Sequence, residues 1–203
     1  MSKQIAATKK YYNQKAVLWS NAKTNSFHHE KQFREIVKLW PEKARIIDIG
    51  CANGIHVPLF LGIGRLLKYV GVDISKTFLK IAATRYPQLT FLEADISNSD
   101  SLPKKKFDGF WAGAILMHIP FSEWDVMFQN IEKLCKPKSY GYITLPTEHP
   151  SKDRAADDPR HFTLLSSQEQ VDFIKNKGWK IIKKGVTDGT TKNAIWQWYI
   201  VQI

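Results

Sequence analysis

The segment Ala44–Gly54, ARIIDIGCANG, constrains the fold more than any other part of the chain. Ile46, Ile47 and Ile49 read as a strand buried on both faces, the pattern of a parallel sheet. Behind the strand, Gly50 and Gly54 permit a tight turn and a close approach of backbone to a ligand, where a side chain would clash. Asp48 stands just ahead of the first glycine. A carboxylate there repels a pyrophosphate and suits a cationic or hydroxylated ligand. The loop lacks the Gly-Lys-Ser/Thr ending of a P-loop and does not meet the dinucleotide pattern G-x-G-x-x-G.

Strands and helices alternate along the remainder. Strands are predicted at about 44–49, 69–73, 89–94, 107–111 and 140–145, the second ending in Asp73 and the third reaching Asp95. Residues 1–25 read as a polar, basic arm with a short helix. Phe33, Ile36, Val37 and Trp40 have a helical period that Pro41 ends. A helix or irregular turn follows the first strand through Val57 to Leu61. Ser75 is placed to cap a helix over 76–85, and a further helix spans 122–134. Ser166 and Glu169 form a capping box for a helix through Lys177, with Gly178 as its stop. Residues 146–161 read as a long loop. Closing strands at 179–185 and 194–203 pair antiparallel about a turn near Asp188-Gly189. The expected fold class is α/β: a doubly wound, mostly parallel seven-stranded sheet with helices on both faces and an antiparallel C-terminal strand. One domain is expected, with an N-terminal arm and helices (1–43), a core (44–145), a loop (146–165) and a C-terminal helix and strands (166–203). Ligands of such sheets bind beyond the carboxyl ends of the strands, where Asp48, Asp73 and Asp95 all fall.

At 203 residues the chain suits one α/β domain. No apolar stretch approaches the length of a membrane span and the N-terminus lacks a signal-peptide core, so a membrane role is not expected. Cys51 and Cys135 lie far apart and suggest no disulfide framework. Reduced thiols and a cytoplasmic location are the expectation. The net charge of +11 is compatible with a nucleic-acid partner, an anionic substrate or a merely solubilising surface. Its basic clusters, Lys104–Lys106 and Lys180–Lys184 among them, are scattered and share no aromatic platform. A nucleic-acid partner is therefore not favoured. His28 and His29 are adjacent and do not face together on a helix, and no Cys/His spacing suggests a metal site.

The loop, the two later acids and the segment Phe107–Pro120 together resemble the class I S-adenosylmethionine-dependent methyltransferases, in particular their small bacterial branch. The resemblance covers nearly the whole chain from about Tyr11. The family's acid-x-Gly-x-Gly-x-Gly loop corresponds to Asp48–Gly54, with Ala52 replacing the middle glycine. The resemblance implies that Asp48, Gly50, Cys51, Ala52 and Gly54 hold the methionine part of S-adenosylmethionine. It implies that Asp73 binds both ribose hydroxyls with Ile74 flanking the adenine, and that Asp95 and Ile96 recognise the adenine. Trp111 and Ala112, at the fourth strand's end, would line the cofactor, with S-adenosylhomocysteine as the product. The bottom-up chemistry agrees: acids suit a diol and amines, and glycine amides suit a carboxylate.

For the acceptor side, His118 follows the fourth strand and has the pKa range of a general base; the alternative is a histidine packed under the cofactor or capping a helix. Tyr11, Tyr12 and Trp19 are placed to fold over the cofactor, with Tyr12 also a substrate contact. Arg160 and His161 follow the long loop, where the family places acceptor specificity. Arg160 would bind an anionic group or else pair with Asp157 or Asp158. Glu148 and His149 share that loop. Trp111 would stack on a planar acceptor or belong to the core. No Asn/Asp-Pro-Pro-aromatic segment occurs, which argues against modification of exocyclic amines of nucleic-acid bases. The resulting expectation is methyl transfer to an oxygen or nitrogen of a small molecule. Two alternatives stand beside it: an RNA or protein methyltransferase using the basic surface, and a non-catalytic cofactor-binding partner subunit. No pattern in the sequence sets an oligomeric state.

Overall fold

The computed structural model describes residues 1–21, 29–148, 158–188 and 194–203. The expectations for His28, His149 and Asp157 lie outside the described residues, as does that for Gly189.

Strand β1 (Arg45–Ile49) lies at the centre of the sheet, between β2 (Lys68–Asp73) and β4 (Phe107–Ala112), and pairs parallel with both. Strand β3 (Thr90–Glu93) closes one edge. On the other side follow β5 (Cys135–Glu148), β7 (Ile195–Gln202) and β6 (Lys180–Asp188), giving the order β3-β2-β1-β4-β5-β7-β6. Only β7 runs against the rest, antiparallel to both of its neighbours. The chain winds outward from β1 to β3, then returns to start again at β4. That reversal opens a crevice at the carboxyl ends of β1 and β4, where ligands of such sheets bind.

Side-chain alternation divides the core between the two faces. Ile47 and Ile49 of β1 join one cluster with Phe110 and Ala112 of β4. Ile46 and Trp111 point the other way. The first face is covered by α5 (Trp124–Leu134), through Met127, Phe128 and Ile131, and by α6 (Ser167–Asn176), through Val171 and Ile174. The second is covered by α2 (Glu30–Val37) and α3 (Val57–Leu61), through Phe33, Ile36 and Phe60. Each such fully buried apolar side chain contributes about 1.5–3 kcal/mol relative to exposure. Burial, more than helical propensity, holds the five-residue α3 in place. The expected capping box forms: Ser166 Oγ accepts from Glu169 N, and the Glu169 carboxylate accepts from Ser166 N.

Two elements differ from the sequence reading. The N-terminal region is one 19-residue helix, α1 (Lys3–Asn21), where an arm with a short helix was expected. It contains no glycine or proline, and Ile5, Thr8, Tyr12, Ala16 and Trp19 recur at helical spacing along one side. That side lies across the start of α4 (Lys76–Arg85), where Asn13 Oδ1 accepts from Ser75 Oγ and Thr77 N at 2.9 and 3.2 Å. Strand β5 begins at Cys135, ahead of the expected start at Tyr140, and continues to Glu148. Its entry is irregular: Lys138 has φ 63°, and the register with β4 shifts between Phe107 and Gly109.

Candidate active site

The turn after β1 has the backbone that its glycines permit. Gly50 and Gly54 have φ +74° and +77°, and Ala52 is also left-handed at 47°. Gly50 N and Cys51 N both donate to Val72 O, at 2.8 and 3.0 Å, tying the turn to β2. A Cβ at Gly50 would lie 2.7 Å from the side chain of Ile115, so only glycine fits without displacing it.

Three acids surround this turn, each in a different environment. Asp73, at the end of β2, accepts from Ala52 N (2.9 Å) and Ser75 N (2.8 Å), bridging the turn and the start of α4. Burial pushes its carboxyl up to about 6, and those backbone donors oppose the rise. Asp95, just past β3, accepts through Oδ1 from Ser97 N and Oγ, while its Oδ2 is buried with no partner among the described residues. Asp48 sits within β1, fully buried. Its Oδ2 accepts from Tyr69 OH at 2.8 Å, and its Oδ1 is unpartnered among the described residues. Burial, opposed by the Tyr69 hydrogen bond and aided by the charge of Asp73, pushes it up to about 7.

A cavity of about 270 Å³ runs along the carboxyl ends of the strands from β3 to β4. Gly50, Ala52 and Asn53 line its middle. Asp73, Ile74, Phe78, Asp95 and Ile96 line the β2–β3 end, while Gly113, Ala114, Ile115, His29 and His56 line the β4 end. Helix α1 lies over it, contributing Ile5, Thr8, Tyr12 and Trp19.

A hydrogen-bonded latch holds that roof. His118 Nδ1 is 2.8 Å from the carbonyl oxygen of His161, which accepts only, so Nδ1 carries the proton and donates. In the neutral imidazole Nε2 is then an acceptor, and Tyr12 OH, 2.8 Å away, donates to it. His161 N donates to Thr8 Oγ1 at 3.0 Å. The guanidinium of Arg160 donates to both Asp158 oxygens and, at 3.4 Å, to Tyr12 OH. Its Cζ lies 4.7 Å from the centre of the Tyr11 ring and 5.3–5.7 Å from those of Tyr12, Trp19 and Phe162. Desolvation raises the Tyr12 phenol above its ordinary range, with Arg160 pulling the other way.

Of the residues expected at the site, Gly50, Ala52, Asp73, Ile74, Asp95, Ile96, Tyr12, Trp19 and His118 line the cavity. The others are placed behind it. Asp48 lies beneath, against Tyr69. Gly54 abuts the Tyr86 ring, and the Cys51 thiol packs over Gly71 of β2, where burial raises its pKa well above the ordinary value. Ala112 belongs to the core. Trp111 is fully buried and stacked at 3.9 Å on Tyr142, so it belongs to the core and neither lines the cavity expected to hold the cofactor nor offers a face to a planar acceptor. Tyr11 and the Arg160–His161 pair brace the roof from outside the wall. For Arg160 the ion-pair alternative is realised, with Asp158 at 2.8 Å.

His56 and Gly113, to which the sequence reading assigns no role, line the cavity, as does His29, which enters that reading only in the search for metal ligands. The available signal for His56 was a polar residue interrupting the apolar run after Gly54. Among the described residues there is no group of three or more His, Cys, Asp or Glu that could hold a metal ion.

Residues 46–138 match the family model described as a methyltransferase domain. Among curated relatives, the chain is 26% identical over 159 residues to a trans-aconitate 2-methyltransferase of Sinorhizobium medicae, covering 76% of this chain and 58% of that protein. It is 25% identical over 168 residues to a putative methyltransferase 235L of Invertebrate iridescent virus 6, covering 80% and 55%. The chain therefore spans little more than half the length of these relatives. Among solved structures it is similar to a 1,6-didemethyltoxoflavin-N1-methyltransferase of Burkholderia thailandensis, with bound 1,6-didemethyltoxoflavin and S-adenosylhomocysteine. There the TM-score is 0.77 at 12% identity, over 100% of this chain and 91% of that one. It is also similar to a magnesium protoporphyrin IX methyltransferase of Synechocystis PCC 6803, with bound S-adenosylhomocysteine. That match has a TM-score of 0.74 at 16% identity, covering 98% and 99%.

Proposed function

We propose that this chain, which carries a class I methyltransferase domain, binds S-adenosylmethionine and transfers its methyl group to an oxygen or nitrogen of a small molecule. One observation carries the reading: Gly50, Asp73 and Asp95 converge on a single cavity, and there Asp95 keeps a buried carboxylate oxygen without a partner among the described residues. Buried polar atoms are nearly always paired, so an orphan on a cavity wall fits a ligand donor. An adenine amino group is such a donor, and a ribose diol suits the carboxylate of Asp73.

When bound, the cofactor supplies an electrophilic methyl group on a sulfonium, and the chain supplies approach geometry and exclusion of water. Gly50 leaves room for the methionine part beside Ile115. Ile74 and Ile96 offer apolar surface to the adenine. Tyr12, held by His118, Arg160 and the backbone of His161, keeps α1 over the cavity. In this arrangement His118 is a positioning residue, because both of its nitrogens are engaged. Arg160 and His161 act through Tyr12 and Thr8 rather than on the acceptor directly.

The distribution of charge supports a small acceptor. No lysine or arginine lines the cavity among the described residues. Lys104–Lys106 precede β4, at the end of the sheet opposite the site, and Lys180–Lys184 lie on the edge strand β6, where Lys183 pairs with Glu35. The trans-aconitate relatives favour a second reading, a small carboxylated acceptor. The test is release of S-adenosylhomocysteine from S-adenosylmethionine across a panel of small hydroxylated, amino and carboxylated compounds, followed by mass spectrometry. Turnover with a panel member, lost in Asp73→Ala, is expected. Methylation of RNA alone, with a salt-dependent RNA shift, would refute the small-molecule reading.

A further inference from the structure

His56 and His29 close the β4 end of the cavity, and the cofactor half described above uses neither. The His56 ring lies edge-on to His29 at 5.7 Å and to Trp111 at 5.6 Å. Gly113, just past β4, makes the corner possible: a Cβ there would lie 2.9 Å from both His56 Cε1 and Trp111 Nε1. His56 Nδ1 and Trp111 Nε1 are buried without a hydrogen-bond partner among the described residues. His29 Nδ1 is 3.0 Å from Tyr142 OH. Of these two, His56 belongs to the cavity wall while Trp111 lies behind it, and an orphaned polar atom on a wall residue is costly unless something in the cavity meets it.

Charge narrows what that something is. The carboxylates on the wall, Asp73 and Asp95, are both at the β2–β3 end, and no lysine or arginine lines the cavity among the described residues. Burial, with a smaller contribution from His29, pushes His56 down to about 3, so its imidazole is neutral at physiological pH. A neutral imidazole donates through one nitrogen and accepts through the other, and gives a carboxylate no opposite charge.

The methyl-transfer reading puts the acceptor at the β4 end; we propose that His56 is its polar contact there, and that the subsite takes an uncharged ring compound presenting a hydroxyl or ring N–H to His56. This rests on the methyl-transfer reading and narrows it. Across the sheet order, Asp73 and Asp95 would hold the nucleoside at one end of the cavity, which leaves Gly50 and the β4 end, with His56 and His29, for the methionine part and the acceptor. Trp19 and the edges of the two imidazoles supply aromatic walls.

The experiment uses two matched probes, neutral 2-naphthol and anionic 2-naphthoate. Each is titrated calorimetrically at pH 7 into the full chain saturated with S-adenosylhomocysteine. Naphthol is expected to bind more tightly than naphthoate. His56→Phe should weaken naphthol about tenfold, the value of one lost hydrogen bond, and His56→Gln, which keeps a donor and an acceptor, should recover most of it. Nitrogen NMR of labelled histidine should show the His56 Nδ1 resonance moving when naphthol binds. Naphthoate binding as tightly as naphthol, failure of both probes to bind, or an unchanged His56→Phe would overturn the proposal. Wild-type protein that does not take up S-adenosylhomocysteine at all would instead overturn the methyl-transfer reading beneath it.

Discussion

Asp48→Asn should stabilise the protein, and by an amount that grows with pH. The wild-type carboxyl is fully buried, accepts one hydrogen bond from Tyr69, and is raised from an ordinary value of 3.8 to about 7. Its proton is thus held more tightly in the folded chain than in the unfolded one. The stability this group contributes is fully present below about pH 4, declines as pH rises toward 7 and is lost above it. A shift of about three units at about 1.4 kcal/mol each places the cost of the ionised form near 4 kcal/mol at about pH 8. The asparagine amide keeps an oxygen for Tyr69 OH and carries no charge. Urea unfolding of both proteins between about pH 4 and 8 should therefore show the smallest difference at the acid end. A gap favouring the variant should then open to about 2–4 kcal/mol at about pH 8, the lower figure allowing for the unpaired amide N–H left in place of Oδ1. A gap independent of pH, or a less stable variant at the alkaline end, would refute the argument that desolvation dominates at this position.

The raised pKa of Asp73, about 6, has a consequence for binding. A diol donates to the ionised carboxylate, so affinity for S-adenosylhomocysteine should hold above about pH 6 and fall about tenfold per unit below it; a flat calorimetric profile from about pH 5 to 7.5 would count against diol binding at Asp73. Gly50→Ala puts a Cβ at a left-handed φ and 2.7 Å from Ile115, and should cost about 2–5 kcal/mol in urea unfolding; a wild-type midpoint would show that the turn has slack. Tyr12→Phe removes the hydroxyl that joins α1 to His118 and Arg160 and should cost about 1–3 kcal/mol while speeding amide exchange in α1; unchanged exchange would show that the latch does not hold the roof.

What the sequence disclosed follows from how local each signal is. The strand before Gly50, the cap at Ser75 and the box at Ser166–Glu169 are set by residues within a few positions of one another, and all three formed. Asp73 and Asp95 were readable because a parallel sheet places the ends of its strands along one edge. Helix α1 is longer than its sequence suggests because its inner side mixes Ile5 and Ala16 with Thr8 and Tyr12, a weak apolar pattern that gains meaning only against α4 and the cavity. Trp111 looked like a cleft residue because it lies near the end of β4, but alternation turns it into the core while Gly113 and Ala114, farther on, reach the wall. The place of His56 is not legible for a related reason: its neighbours Trp111, Gly113 and His29 converge from β4, from just beyond it and from the residue preceding α2, and no local spacing records that meeting.

The most direct test of the central claim is calorimetric titration of S-adenosylhomocysteine into the wild-type chain, Asp73→Ala and Asp95→Ala. Saturable binding at one site in the wild type is expected, weakened at least about tenfold in each variant by loss of the hydrogen bonds to the ribose or the adenine. Absence of binding to the wild type, or equal affinity in all three proteins, would contradict the assignment of this cavity to the methyl donor.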